Sequence, residues 1–146
     1  MDLVVRQESG VSRFGPDSPE AAAALALGAH LGVPLQPRRL TTPDGTTLEV
    51  EGMAADGSIV VQFVLNDGAL RSPMRNKVAA DLFKLVWVSQ AVVPGARPVL
   101  CVSAAVAPIV SGRGWLGAAA RDLGVTVVLA LPGGQVRELD PTDAVL

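Results

Sequence analysis

Residues 48–87 read LEVEGMAADGSIVVQFVLNDGALRSPMRNKVAADLFKLVW, and the period of the pattern changes within that span. Side chains alternate between the two faces of a strand. Glu49 and Glu51 therefore share one face of the first segment, opposite Leu48 and Val50. In the second segment Ile59, Val61, Phe63 and Leu65 fall on one side and Val60, Gln62, Val64 and Asn66 on the other, so Gln62 is the odd member of an apolar run. After Ser72-Pro73 the period becomes helical. Steps of four and three place Lys77, Asp81 and Lys84 on one line, between a flank of Val78, Leu82 and Leu85 and a flank of Ala80, Phe83 and Trp87. A narrow charged line bordered by apolar residues on both sides requires a physical reason, and nearly every polar residue able to do chemistry lies in this stretch or in the helix upstream of it.

Upstream, residues 34–67 continue the short alternating segments, punctuated by Asp44-Gly45, Asp56-Gly57 and Asp67-Gly68. Asp-Gly pairs favour tight turns because both residues tolerate positive φ. The pattern predicts an antiparallel meander of strands at 35–42, 46–52 and 58–66. Before it, Ser18-Pro19-Glu20 has the chemistry of a helix start: a capping hydroxyl, proline at the first helical position and a carboxylate against the positive end of the dipole. That helix is Ala-rich and stops near Gly32. Residues 1–17 form a segment with a short strand expected at 3–5.

Downstream, the second helix is expected to run to about Val92, closed by Pro94-Gly95. Residues 98–103 and 125–131 are continuous apolar runs, as in strands covered on both faces. Between them lies a helical region with breaks expected near Pro108 and Ser111-Gly112. Strand, helix and strand of this kind make a parallel pair joined by a right-handed crossover. Residues 132–146 read as a polar tail, either a short helix or disordered. The expected fold is α/β, a mixed sheet of an antiparallel meander plus a parallel βαβ pair with helices on both faces. It forms one domain at 18–131.

Composition agrees with a single core. The 146 residues are 49% hydrophobic but only 3% aromatic, with a mean hydropathy of +0.40, so the interior is built from Val, Leu and Ala. A net charge of −2 gives no global attraction to nucleic acid, and any basic site must be local. The single Cys101 lies in an apolar run and reads as a buried, inert thiol, and no disulfide or zinc framework can be drawn. No apolar run approaches the roughly 20 residues that cross a bilayer, and the N-terminus lacks the features of a signal peptide. A cytoplasmic protein without a membrane partner is expected.

The element order, with acids on the second meander strand and a polar position on the third, resembles the PD-(D/E)XK nuclease superfamily, of restriction-endonuclease-like fold, from about Ser18 to Leu131. The run GALRSPMRNKVAADLFKLVW is similar to that of an uncharacterised small bacterial branch in which a lysine-bearing helix follows the strand. The resemblance implies Mg²⁺-dependent hydrolysis of nucleic acid. Glu51 takes the place of the first acidic metal ligand, Glu20 that of an auxiliary one, and Gln62 that of the second acid. Val64 stands where the motif lysine is expected, and Lys77 and Lys84 on the next helix are its replacements. Gln62 brings no charge and Val64 no chemistry, so the motif is incomplete.

Each signal has a plainer reading. Glu49 and Glu51 also fit the wet face of an edge strand, Gln62 a hydrogen-bonded core amide, and Glu20 a helix-dipole partner. Lys77, Asp81 and Lys84 fit the solvated face of an amphipathic helix. Arg71 and Arg75, with Lys77, form the densest basic patch and are the candidate nucleic-acid contacts, although no aromatics are interleaved to stack bases. Ser111-Gly-Arg-Gly-Trp115 lacks the spacing of a P-loop and reads as a helix start with Trp115 as an apolar anchor. Three functions compete: a Mg²⁺-dependent nuclease, a nuclease-like fold that acts as a binding or homodimeric assembly module, and a small-ligand domain using the strand ends near Ser103.

Overall fold

The computed structural model describes residues 5–10, 14–66, 72–112 and 114–139. Seven strands form one sheet in chain order, each beside its sequence neighbours: β1 (Arg6–Ser9), β2 (Gln36–Thr41), β3 (Thr47–Met53), β4 (Ile59–Val64), β5 (Arg97–Ser103), β6 (Thr126–Leu131) and β7 (Gln135–Glu138). β4, β5 and β6 run parallel, and the remaining neighbours are antiparallel. The expected mixed sheet of antiparallel and parallel strands with helices on both faces is observed, and its parallel part takes in β4 as well as the expected pair.

Helix α1 (Pro19–Leu31) lies on one face. Its Ala23 and Leu27 pack with Ile59, Val61, Phe63, Val99, Cys101 and Val128. The opposite face carries α2 (Ser72–Trp87), α3 (Ala107–Val110) and α4 (Trp115–Asp122). There Val78, Leu82, Leu85, Leu116 and Ala120 cover Val60, Val64, Leu100, Val102, Val127 and Leu129. The alternation read along 59–65 thus decides which helix each side chain meets. Ser18 Oγ accepts the Ala21 amide at 3.1 Å and Gly32 caps α1 at φ 78°, as the capping chemistry predicts. α2 continues as a π-helical turn over Val88–Val92. Among the described residues no helix is long and apolar enough to cross a membrane.

Two sequence expectations are corrected, and a third, the strand at 3–5, lies largely outside the described residues. A strand is present at Arg6–Ser9; all four of its residues are exposed, so no buried face marks it and pairing with β2 defines it. Residues 135–138 are neither helical nor disordered. Gly133 and Gly134, both at positive φ, reverse the chain so that β7 pairs with β6, and Val136 and Leu139 reach the two cores. The sheet thereby extends past residues 18 and 131 at both ends. Trp115 is not an anchor: α4 buries Leu116, Gly117 and Ala120, which turns Trp115 outward at 71% exposure.

Candidate functional site

The seam between β3 and β4 is where the polar residues gather. From Gln36↔Met53 to Arg38↔Val50, β2 advances two residues while β3 advances three, so β3 bulges across Glu51-Gly52. A bulge leaves a residue out of the regular ladder and re-aims it. The β3–β4 register is correspondingly confined to Gly52↔Val61 and Met53↔Val60.

Side chains take over where the ladder stops. The Glu51 amide donates to Gln62 Oε1 at 2.9 Å, and the Phe63 amide donates to Glu51 Oε1 at 2.9 Å. Gln62 Nε2 donates to Asp81 Oδ1 at 3.2 Å, and Lys77 Nζ meets Asp81 Oδ2 at 3.0 Å. Lys84 Nζ reaches the Glu49 carbonyl at 3.1 Å. Gln62 is 2% exposed and Asp81 7%, so the bond between them forms away from water, where an unpaired polar group is costly, while the Lys84 bond is exposed. The charged line on α2 has its physical reason here: it faces the bulge and supplies the partners that the broken ladder lacks.

The sequence brought Glu51, Gln62, Lys77 and Lys84 to one seam, and the structure does the same. Asp81, read only as part of the charged line, is the hinge of the cluster. Its i+4 spacing from Lys77 was the signal, and its burial was not legible. Glu20 is separated from the seam. It sits in the first turn of α1, on the face opposite α2. Arg75 is exposed on α2, and Arg71 lies outside the described residues.

Most of the seam oxygens that would face Mg²⁺ already accept hydrogen bonds, and Glu20 is on the other side of the sheet. Gln62 Oε1 holds an amide, one Glu51 oxygen holds another, and both Asp81 oxygens accept from nitrogen donors. A hard cation takes six or more oxygen ligands and favours carboxylates and water. Among the described residues no three His, Cys, Asp or Glu side chains gather in an arrangement able to hold a metal ion. The described residues do not fit the ion that the resemblance implies.

A hollow of about 550 Å³ lies between α1 and the carboxyl ends of β4, β5 and β6, lined by Ala22, Ala26, Leu65, Ser103, Ala130 and Gly133 among others. Ser103 Oγ already donates to the Asn66 carbonyl at 2.8 Å, and among the described lining residues Gln135 is the other polar side chain able to orient a ligand. Cys101 is fully buried in β5, and burial pushes its thiol up to about 12, which removes it as a nucleophile at neutral pH.

Fold and seam together define a mixed α/β domain whose buried polar cluster closes on itself. No protein-family model, no curated protein and no solved structure matches the chain.

Proposed function

We propose that the chain is a non-catalytic α/β module, with a nuclease-like seam retained as a structural clamp, that works by association rather than by turnover. One observation carries this reading: Gln62 and Asp81, the buried polar side chains of the seam, are bonded to each other, to the Glu51 amide and to Lys77. Their polar atoms thereby serve the bulge that the backbone ladder leaves open. The restriction-endonuclease-like assignment of the fold belongs to the same proposal. It is supported by the meander followed by the parallel strands, and by an acid and an amide meeting where the meander bulges. A cytoplasmic setting agrees with the single buried, inert thiol.

Mg²⁺-dependent hydrolysis of nucleic acid is the competing reading, favoured by Lys77 and Lys84 facing Glu51 and Gln62. The test is cleavage of single- and double-stranded DNA and RNA with Mg²⁺ or Mn²⁺, by the wild type and by Glu51→Ala and Lys77→Ala. Equal traces from all three are expected. Cleavage by the wild type that both variants abolish would establish the enzyme.

A further inference from the structure

We infer that the outer face of α2 is the contact surface for a second copy of this chain, packed antiparallel across a two-fold axis near Phe83. The inference rests on the associative reading above and names its partner.

The charged line of α2 divides two apolar flanks with different fates. Val78, Leu82 and Leu85 are buried against the sheet, while Ala80, Phe83, Trp87 and Ala91 form an exposed stripe at helical spacing. Phe83 is 80% exposed and Trp87 37%. On the same side of the sheet Trp115, in α4, and Leu123, just past its end, are also exposed. A stable dimer covers about 800 Å² on each partner, and a wholly covered aromatic side chain contributes about 150–250 Å². Phe83, with Ala80, Ala91 and the open part of Trp87, supplies the apolar centre of such an area.

Shape and charge both select a second copy in the antiparallel sense. The stripe holds large residues (Phe83, Trp87) and small ones (Ala80, Ala91), so it presents knobs and holes to itself, as an isologous interface requires. Phe83 lies one residue from the midpoint of the continuous helical span 72–92, which lets a two-fold axis there overlap the whole span. Arg75 lies in its first turn and residues 86–92 carry no charge. An antiparallel partner sets this cation beside the negative end of the neighbouring helix dipole. A parallel partner would set it against its own copy. Asp81, the one acid of α2, is buried and already paired with Lys77, so it does not oppose the contact.

Sedimentation velocity of the full chain from micromolar to submillimolar concentration tests the inference, with Phe83→Asp and Trp115→Asp run alongside and circular dichroism confirming that each is folded. The wild type is expected to approach twice its 15.0 kDa mass. Phe83→Asp should weaken association by more than about thirtyfold, the factor for losing one buried aromatic anchor, and Trp115→Asp should weaken it less. A wild type that stays monomeric throughout overturns the inference, as does a dimer that survives Phe83→Asp or that only Trp115→Asp dissolves. The nuclease assay is independent of this outcome. A monomer without cleavage removes the dimer and keeps the non-catalytic reading, and a cleaving dimer does the reverse.

Discussion

β4 is held differently along its two edges. Against β5 the parallel register runs unbroken from Ile59↔Arg97 to Val64↔Val102, between residues that are almost all apolar and buried. Against β3 regular pairing stops after Gly52↔Val61, and the next amides are caught by the side chains of Gln62 and Glu51. A regular ladder satisfies the backbone by itself, so its side chains are free to be Val and Leu. A bulged seam must recruit polar side chains into the interior, and each recruit then needs a partner of its own. Gln62 calls for Asp81, and Asp81 for Lys77.

The largest effect that separates the two edges is expected from Gln62→Leu. The substitution keeps volume but removes the Gln62 acceptor of the Glu51 amide and the Gln62 donor to one buried Asp81 oxygen, each lost bond costing about 1–3 kcal/mol. A stability loss of about 3 kcal/mol in urea denaturation is the expected outcome. Amide exchange should accelerate at Glu51 and Phe63 while the amides of β5 keep their relative protection. Uniform acceleration across both edges would mean that the seam is not a separate unit.

Next comes Glu51→Ala, which removes the acceptor of the Phe63 amide and should cost about 1–2 kcal/mol. Glu51→Gln retains an acceptor oxygen and should recover most of the loss. If the glutamine variant behaves like the alanine variant, the charge matters at this position and the clamp description is incomplete.

Lys77→Ala is smaller, because the lysine side chain is 43% exposed and solvent screens its bond to Asp81. About 1 kcal/mol is expected. A double-mutant cycle with Asp81→Asn should show coupling between the two positions, and additivity would place Lys77 outside the cluster.

This contrast between the edges was partly written in the chain. The apolar runs at 98–103 and 125–131 announced the regular edge, because strands covered on both faces need no polar residues. Gln62 stood out in its run for the opposite reason. The bulge itself was not legible, since an extra residue in a strand leaves the local composition unchanged and appears only when β2 and β4 are set against it. β1 and β7 escaped notice because edge strands with exposed residues carry little alternation. The burial of Asp81 was hidden by its lysine neighbours, which made it look like one more residue of a wet helix face. The exposure of Phe83 was hidden in the same way, since an apolar flank reads as core until the sheet shows which side it covers.

The seam has a second fastening at its tip, and there the smallest effect is expected. Gly57 adopts φ 76°, and the Asp56 carboxylate accepts from the Ser58 amide at 3.0 Å and the Ser58 hydroxyl at 2.6 Å. These donors, the hydroxyl foremost, hold the Asp56 carboxyl below its ordinary range. A carboxyl depressed in the folded state contributes stability that is present above its unfolded value and is lost as pH falls through the folded one. Asp56→Ala should therefore lower the melting temperature slightly at neutral pH, and the difference from wild type should vanish as acid protonates the carboxylate. Asp44 sits in the matching turn between β2 and β3, where the Thr42 hydroxyl and the Thr46 amide lower its carboxyl in the same sense. If the turn at Asp56 matters more because its ladder is short, Asp56→Ala should shift the melting temperature further than Asp44→Ala, and equal shifts would show that the bulged seam does not lean on its turn.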